Sequence, residues 1–220
     1  MGKIQILTAR QKKVLSFVKD NPYLTDRFYF TGGTALSHYY LQHRLSEDLD
    51  FFSEKEFNPE TIFSIVTNLA NKLSAKVTPR FIDNRMYICT YQFPDKTELK
   101  VDFCHYPYPL LKKGNYDGKL KIDSLLDIAV NKITTIGQRT TTKDFVDLYY
   151  LWQKFGIWDL IYGAEKKFNI TYESYLLGSD LLAFEQITDL PNMLKPLTLS
   201  ELQSYFRKKA VELAKKSVEP

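Results

Sequence analysis

The alternation of apolar and polar positions changes character once along the chain. Through about residue 105 the apolar positions switch between the 3.6-residue period of helices and the two-residue period of strands, and from Asp123 onward only the helical period persists. Val14, Leu15, Phe17 and Val18 predict a helix over about residues 8–20. Phe28-Tyr-Phe-Thr31 predicts a short strand running into a Gly32-Gly33 turn, followed by a helix from Thr34 to about Gln42. Leu49, Phe51 and Phe52 give a second strand. Asn58-Pro59-Glu60 opens a helix with Pro59 in its first turn and a stripe of Ile62, Ile65, Val66, Leu69 and Leu73. Strands are expected over about residues 76–82 and 86–93, joined by Asp83-Asn84-Arg85, and over 98–105 after a Pro94-Asp95-Lys96-Thr97 turn. Pro107, Pro109, Gly114 and Gly118 then break the pattern. Helices follow at about residues 123–137, 142–155, 172–185 and 199–215, the last opened by a Thr198-x-x-Glu201 capping box. The implied fold is α+β (α/β): an N-terminal mixed β-sheet flanked by helices over residues 1–110, then a mostly helical region over 111–220, with a ligand cleft expected between them.

Composition narrows the class. With 220 residues, 44% hydrophobic and 25% charged, the chain can bury one large core or two small ones. No run of about 18 apolar residues is present, and the first residues lack the apolar stretch of a signal peptide, so a soluble cytoplasmic protein without a membrane span is expected. The two cysteines, Cys89 and Cys104, read as buried reduced thiols. A net charge of +4 is mildly basic, with the excess in Lys112, Lys113, Lys119 and Lys121 and in the last helix. That suits a polyanionic substrate without requiring one.

The chemistry concentrates in Phe30-Thr-Gly-Gly-Thr-Ala-Leu-Ser-His-Tyr-Tyr-Leu-Gln-His-Arg-Leu-Ser-Glu-Asp-Leu-Asp-Phe-Phe52. A glycine turn at a helix N-terminus offers backbone N–H groups to an anion, because those first amides lack intrahelical partners. Asp48 and Asp50, two residues apart on a strand with Ser46, share one face and suit a hard divalent cation. A phosphate cradle beside a magnesium mount makes a nucleoside-triphosphate site. Asp102, in Leu99-Lys-Val-Asp-Phe-Cys104, is the third candidate metal ligand if its strand pairs beside that of Asp50. Lys132, in an otherwise apolar helical stretch, either snorkels to water or reaches a partner such as a triphosphate. Arg139 is a second phosphate contact or a helix C-terminal cation. Asp144 is equally placed as a capping-box residue of Thr141, and Asp147 lies one turn on, where a cation such as Lys132 or Arg139 would pair with it. The histidines show no zinc spacing with the cysteines.

Gly32-Gly-Thr-Ala-Leu, His43-Arg-Leu-Ser-Glu-Asp-Leu-Asp-Phe, Lys132, Arg139 and Lys143-Asp-Phe-Val-Asp-Leu-Tyr149 together resemble the AbiEii/AbiGii (MenT-like) nucleotidyltransferase toxin family, of the DNA polymerase β-like superfamily, over about residues 25–155. The resemblance implies that Gly32, Gly33, Thr34 and Ser46 position the triphosphate and that Asp48 and Asp50 hold Mg2+ or Mn2+. It also implies that Lys132 and Asp147, with Asp144 and Arg139 beside them, form the family's later motifs. Arg44 becomes a site neighbour, its alternative being a salt bridge with Glu47 or Asp48. The family's chemistry is NMP transfer from an NTP to an acceptor hydroxyl, in some members the 3′ end of tRNA. Many members are toxins of toxin–antitoxin or phage-abortive systems with a cognate antitoxin. Against this stand a non-catalytic nucleotide- or antitoxin-binding module, a small-molecule (antibiotic) nucleotidyltransferase, and a protein side chain as acceptor. The region after Trp158 carries no motif of the resemblance.

Overall fold

The computed structural model describes residues 5–83 and 85–216, so Met1–Ile4 and Asn84 of the expected turn lie outside the described residues. The chain forms two compact units, Met1–Pro109 with Lys113–Ser124, and Leu110–Lys112 with Leu125–Pro220.

A mixed sheet organises the first unit. Its strands are β1 (Tyr29–Thr31), β2 (Leu49–Ser53), β3 (Lys76–Ile82), β4 (Met86–Gln92), β5 (Glu98–His105), β6 (Asn115–Asp117) and β7 (Leu120–Ile122), in the order β3-β4-β5-β2-β1-β7-β6. β2 pairs in parallel with β5, and β1 in parallel with β7; the other pairs are antiparallel. Alternation sorts the two faces. Leu49, Phe51, Tyr87, Cys89, Tyr91, Leu99, Val101 and Phe103 are all buried. The Tyr91 hydroxyl donates to the Val66 carbonyl of α4 (Pro59–Leu73) at 3.3 Å. That helix starts where Asn58 accepts from the Thr61 N–H at 2.9 Å, and it buries Ile62, Val66, Leu69 and Leu73. Asp50, Lys100 and Asp102 sit at the alternate positions, on the opposite face. The register also separates the cysteines: Cys89 stands opposite Val101, while Cys104 shares the face of Asp102. Both are free and buried, as expected.

Two further helices precede the sheet, α1 (Ala9–Lys19) and α2 (Pro22–Arg27). The helix expected after the glycine turn begins earlier, at Gly32, as α3 (Gly32–Ala35), and widens into a π-helix over Leu36–Leu41. Gln42 ends it in the left-handed conformation at φ 50°.

Two strands were not legible in the sequence. β6 and β7 are three residues each, too short for a periodic signal, and β7 earns its place by pairing with the distant β1. They carry residues 113–124 into the first unit, where sequence reading divides the chain after residue 110.

The second unit contains α5 (Leu125–Ile136), α6 (Thr142–Leu151), α7 (Ile157–Phe168), α8 (Ser174–Leu181) with a 3-10 turn over Leu182–Gln186, and α9 (Leu199–Lys216). The Thr198–Glu201 capping box is present, with the Thr198 N–H donating to Glu201 at 2.7 Å and the Glu201 N–H donating back to the Thr198 hydroxyl at 3.2 Å. α7 has no counterpart in the expected elements, because Gly163 interrupts its pattern. There a Cβ would come within 2.6 Å of Val130 on α5, so the glycine permits the close helix crossing. Asp127 and Lys167, both fully buried, form an ion pair at 2.7 Å. Asp127 also accepts the Leu111 and Lys112 N–H groups at 2.9 and 3.1 Å, which ties the Leu110–Lys112 segment to this unit. No helix among the described residues is long and apolar enough to cross a membrane.

Candidate active site

The register of three strands assembles the site of the first unit. Thr31 stands opposite Asp50, and Asp50 opposite Asp102, so carboxylates distant in sequence become cross-strand neighbours on one face. Gly32 follows β1 directly, and at φ +74° it occupies the left-handed region that favours glycine. The Asp50 carboxylate packs on its Cα: a Cβ there would overlap Asp50 Oδ2 and lie 2.7 Å from Asp50 Cγ. Glycine is required twice over, by backbone conformation and by the approach of the carboxylate. Gly32→Ala should therefore cost about 2–4 kcal/mol, the left-handed strain and the overlap together. A denaturant titration showing less than about 1 kcal/mol would contradict this geometry.

Gly33 supplies the second half. A Cβ at that position would lie 2.6 Å from Arg44 Nη2 and 3.0 Å from Ser46 Oγ, so guanidinium and hydroxyl rest against the bare backbone. Arg44 is 2% exposed, and its Nη1 donates to the Leu45 carbonyl at 2.9 Å. A buried guanidinium beside backbone amides at the start of a helix is an anion-binding combination. Thr31 makes no side-chain cap to this helix; its hydroxyl donates instead to Asp123 at 2.7 Å.

Three residues hold the loop that carries Ser46 and Asp48. The Thr34 hydroxyl donates to the Asp48 carbonyl and the Ser37 hydroxyl to the Arg44 carbonyl, fastening the loop to the helix. Thr34, expected among the triphosphate contacts, thus supports the Asp48 backbone. Gln11, 1% exposed, donates through Nε2 to the Ser46 and Glu47 carbonyls at 2.9 and 3.0 Å. Sequence reading singled out neither Gln11 nor Ser37, because each acts on a backbone carbonyl of the motif, an interaction that leaves no side-chain pattern to read. One expectation changes: β2 begins at Leu49, so Ser46 and Asp48 lie on the preceding loop and not on a strand face. Hydrogen bonds to that loop, not strand alternation, fix their backbone.

Among the described residues no three His, Cys, Asp or Glu side chains are gathered tightly enough to form a ready-made cation cage. At Asp102 a protein cation takes part: Lys100 Nζ contacts Asp102 Oδ2 at 2.6 Å. The other oxygen, Asp102 Oδ1, is buried without a hydrogen-bond partner. Burial raises the Asp102 pKa above its ordinary value, the hydrogen bond and charge of Lys100 oppose this, and the Asp48 charge adds to it. The orphaned Asp102 oxygen, with Asp50 as its cross-strand neighbour and the Asp48 charge acting on it, belongs to an all-carboxylate set whose oxygens suit a hard divalent cation.

The second unit holds the other expected residues. Lys132 Nζ lies 2.6 Å from Asp144 Oδ1 and 2.7 Å from Asp147 Oδ2, both carboxylates being fully buried. Arg139 Nε reaches Asp144 Oδ2 at 2.8 Å, and the Thr141 hydroxyl donates to the same oxygen. Lys132 therefore reaches carboxylates of its own unit rather than snorkelling, and Arg139 serves Asp144 rather than a helix C-terminus. Asp144 accepts from the Thr141 side chain, while Thr141 makes no side-chain cap to the α6 backbone, so the expected capping box is not formed. Burial pushes the Asp144 carboxyl up, but the charge and hydrogen bond of Lys132, with Thr141 and Arg139, overcome it and hold the pKa below the ordinary value.

A sheet with paired aspartates beside a glycine-opened helix defines a nucleotidyltransferase-like fold. The chain belongs to the AbiEii nucleotidyltransferase toxin family: the family described as nucleotidyl transferase AbiEii toxin, type IV toxin–antitoxin system, matches residues 17–213. The match runs well past Trp158, so the C-terminal helices are part of the family's domain although they show no legible motif. An uncharacterized protein of Aquifex aeolicus, aq_aa25, is 36% identical over 135 residues, which cover 60% of this chain and 61% of that protein. Among solved structures, JHP933 from Helicobacter pylori shares the fold at TM-score 0.56 and 21% identity, over 94% of this chain and 91% of that one. MenT4, a nucleotidyltransferase toxin of Mycobacterium tuberculosis, does so at TM-score 0.56 and 17% identity, over 92% and 82%.

Proposed function

We propose that this protein is a Mg2+-dependent nucleotidyltransferase, with Mn2+ as an alternative ion, that moves an NMP from an NTP to an acceptor hydroxyl. The acceptor oxygen forms the new bond to the α-phosphorus, the bond to the bridging oxygen breaks, and pyrophosphate leaves. The observation that carries this reading is the Asp50–Asp102 pairing with the Asp50 carboxylate seated on Gly32. Asp48, Asp50 and Asp102 would hold the cation, which when bound supplies positive charge to the phosphates. Gly32 and Gly33 offer backbone at the helix start, and Arg44 with Ser46 meets the phosphates there. In the second unit Lys132, held between Asp144 and Asp147, corresponds to the family's later lysine motif and carries, with Asp147, a catalytic role in this reading. Most of the catalysis is positioning and electrostatics. The acceptor is RNA, foremost the 3′ end of tRNA. The biological setting is that of a cytoplasmic toxin with a cognate antitoxin, in a toxin–antitoxin or phage-abortive system.

The test is incubation with Mg2+, each α-labelled NTP in turn and total tRNA. Label is expected on tRNA, abolished by EDTA and restored by excess Mg2+ or Mn2+. Label on the protein itself would replace RNA by a protein side chain as acceptor. NTP binding with no transfer to RNA, protein or small-molecule acceptors would favour a binding module.

A further inference from the structure

Lys100 stands out because none of the roles above uses it. It lies two residues before Asp102 on β5, on the same face, and its ammonium sits 2.6 Å from Asp102 Oδ2. The two side chains differ in exposure, 40% for Lys100 against 8% for Asp102. The carboxylate is fixed in the sheet while the lysine reaches it from the solvent side. Burial pulls the Lys100 ammonium pKa down, yet hydrogen bonding and charge from Asp102, with the charges of Asp48 and Asp50, raise it overall. As a fold-stabilising pair it would contribute little, since a half-exposed lysine gives back most of its Coulomb energy to screening and side-chain entropy. It also leaves Asp102 Oδ1 buried and unsatisfied.

We propose that Lys100 is the resident counter-ion of the carboxylate cluster: its ammonium holds Asp102 in the metal-free protein, is displaced when a divalent cation binds, and so weakens metal binding in the absence of nucleotide. This rests on the reading of Asp48, Asp50 and Asp102 as the cation mount. The released ammonium returns to water at little cost. When an NTP arrives with its metal, the triphosphate offers that ammonium a new anionic partner, so nucleotide and metal bind more tightly together than separately. The device partly neutralises the carboxylate cluster without a metal and discourages metal occupancy without substrate.

The test is a Mn2+ titration of the full-length, nucleotide-free protein followed by electron paramagnetic resonance, with thermal melting to verify folding. Lys100→Met is expected to tighten the Mn2+ Kd by roughly three- to tenfold, the range for losing one half-exposed competing charge. Lys100→Arg, which keeps the charge, should stay within about twofold of wild type. In an Asp102→Asn background, removing Lys100 should change the Kd by less than about twofold, because the displaced contact is already gone. Unchanged or weaker Mn2+ binding by Lys100→Met overturns the proposal. So does a gain that persists in full in the Asp102→Asn background, which would mark diffuse charge rather than displacement. If Asp48→Asn binds Mn2+ as wild type does, the cation-mount reading falls and this inference falls with it. If Asp48→Asn loses Mn2+ while Lys100→Met gains nothing, only the role of Lys100 is lost.

Discussion

Replacing Asp48 by alanine is expected to lower nucleotidyl transfer by about a thousandfold or more, the loss that follows when charge stabilisation worth several kcal/mol is withdrawn from phosphoryl transfer. The fold should survive. Asp48 is half-buried on the loop before β2, and the hydrogen bond from Thr34 goes to its backbone carbonyl, which alanine keeps. Its charge is one cause of the raised Asp102 pKa, so its removal also relieves a repulsion. Thermal unfolding should therefore be unchanged or slightly raised. The pairing of the two measurements is diagnostic: lost transfer with an intact melt assigns Asp48 to the chemistry. Undiminished transfer would remove it from the site, and with it the pairing of the glycine turn to the Asp-x-Asp motif.

Lys132→Met should act in the opposite way, on stability before activity. The substitution removes the cation held by Asp144 and Asp147, whose side chains are fully buried, and leaves two carboxylates facing each other in the interior. Stranding a buried partner costs about 3–5 kcal/mol, a large part of the roughly 5–15 kcal/mol that keeps a domain folded. Arg139 offsets part of this at Asp144, but its side chain is 55% exposed and its contribution is screened. The native cluster also has a pH signature. Because the folded-state pKa of Asp144 lies below the ordinary carboxylate value, its contribution is present above that ordinary value and is lost as pH falls through the lowered one. Denaturant unfolding should thus show wild type losing stability below about pH 4. Lys132→Met should instead improve as the stranded carboxylates take up protons. A variant that unfolds like wild type at neutral pH would show that Lys132 does not carry this cluster.

The two clusters differ in how far they were legible. Gly32, Gly33, Asp48 and Asp50 fall within one short stretch, where the demands of a tight turn and the geometry of two nearby carboxylates operate over a few residues. The same holds for the strands at 76–82 and 98–105, whose alternation matches β3 and β5 to the residue. Asp102 was nameable as a candidate, but its placement beside Asp50 depends on a parallel pairing of β2 with β5 that no local pattern encodes. Ser46 and Asp48 were placed on a strand because alternation extends on paper past the point where the ladder stops. α7 was missed because the glycine that weakens its helical signal is the residue that lets it approach α5.

The chain alone determines most of its helices and strands, the glycine turn and the Asp-x-Asp pair, because these follow from backbone conformation and side-chain period among neighbours in sequence; the family is legible as a resemblance carried by its motifs. Only the tertiary structure decides that Asp50 rests on Gly32 and faces Asp102, that Gln11 holds the Ser46–Glu47 backbone, that Lys100 meets Asp102, and that Lys132 is shared by two buried aspartates. Those contacts join residues whose encounter is set by strand register and by which faces are buried, and register is fixed by packing of the whole sheet rather than by any segment within it.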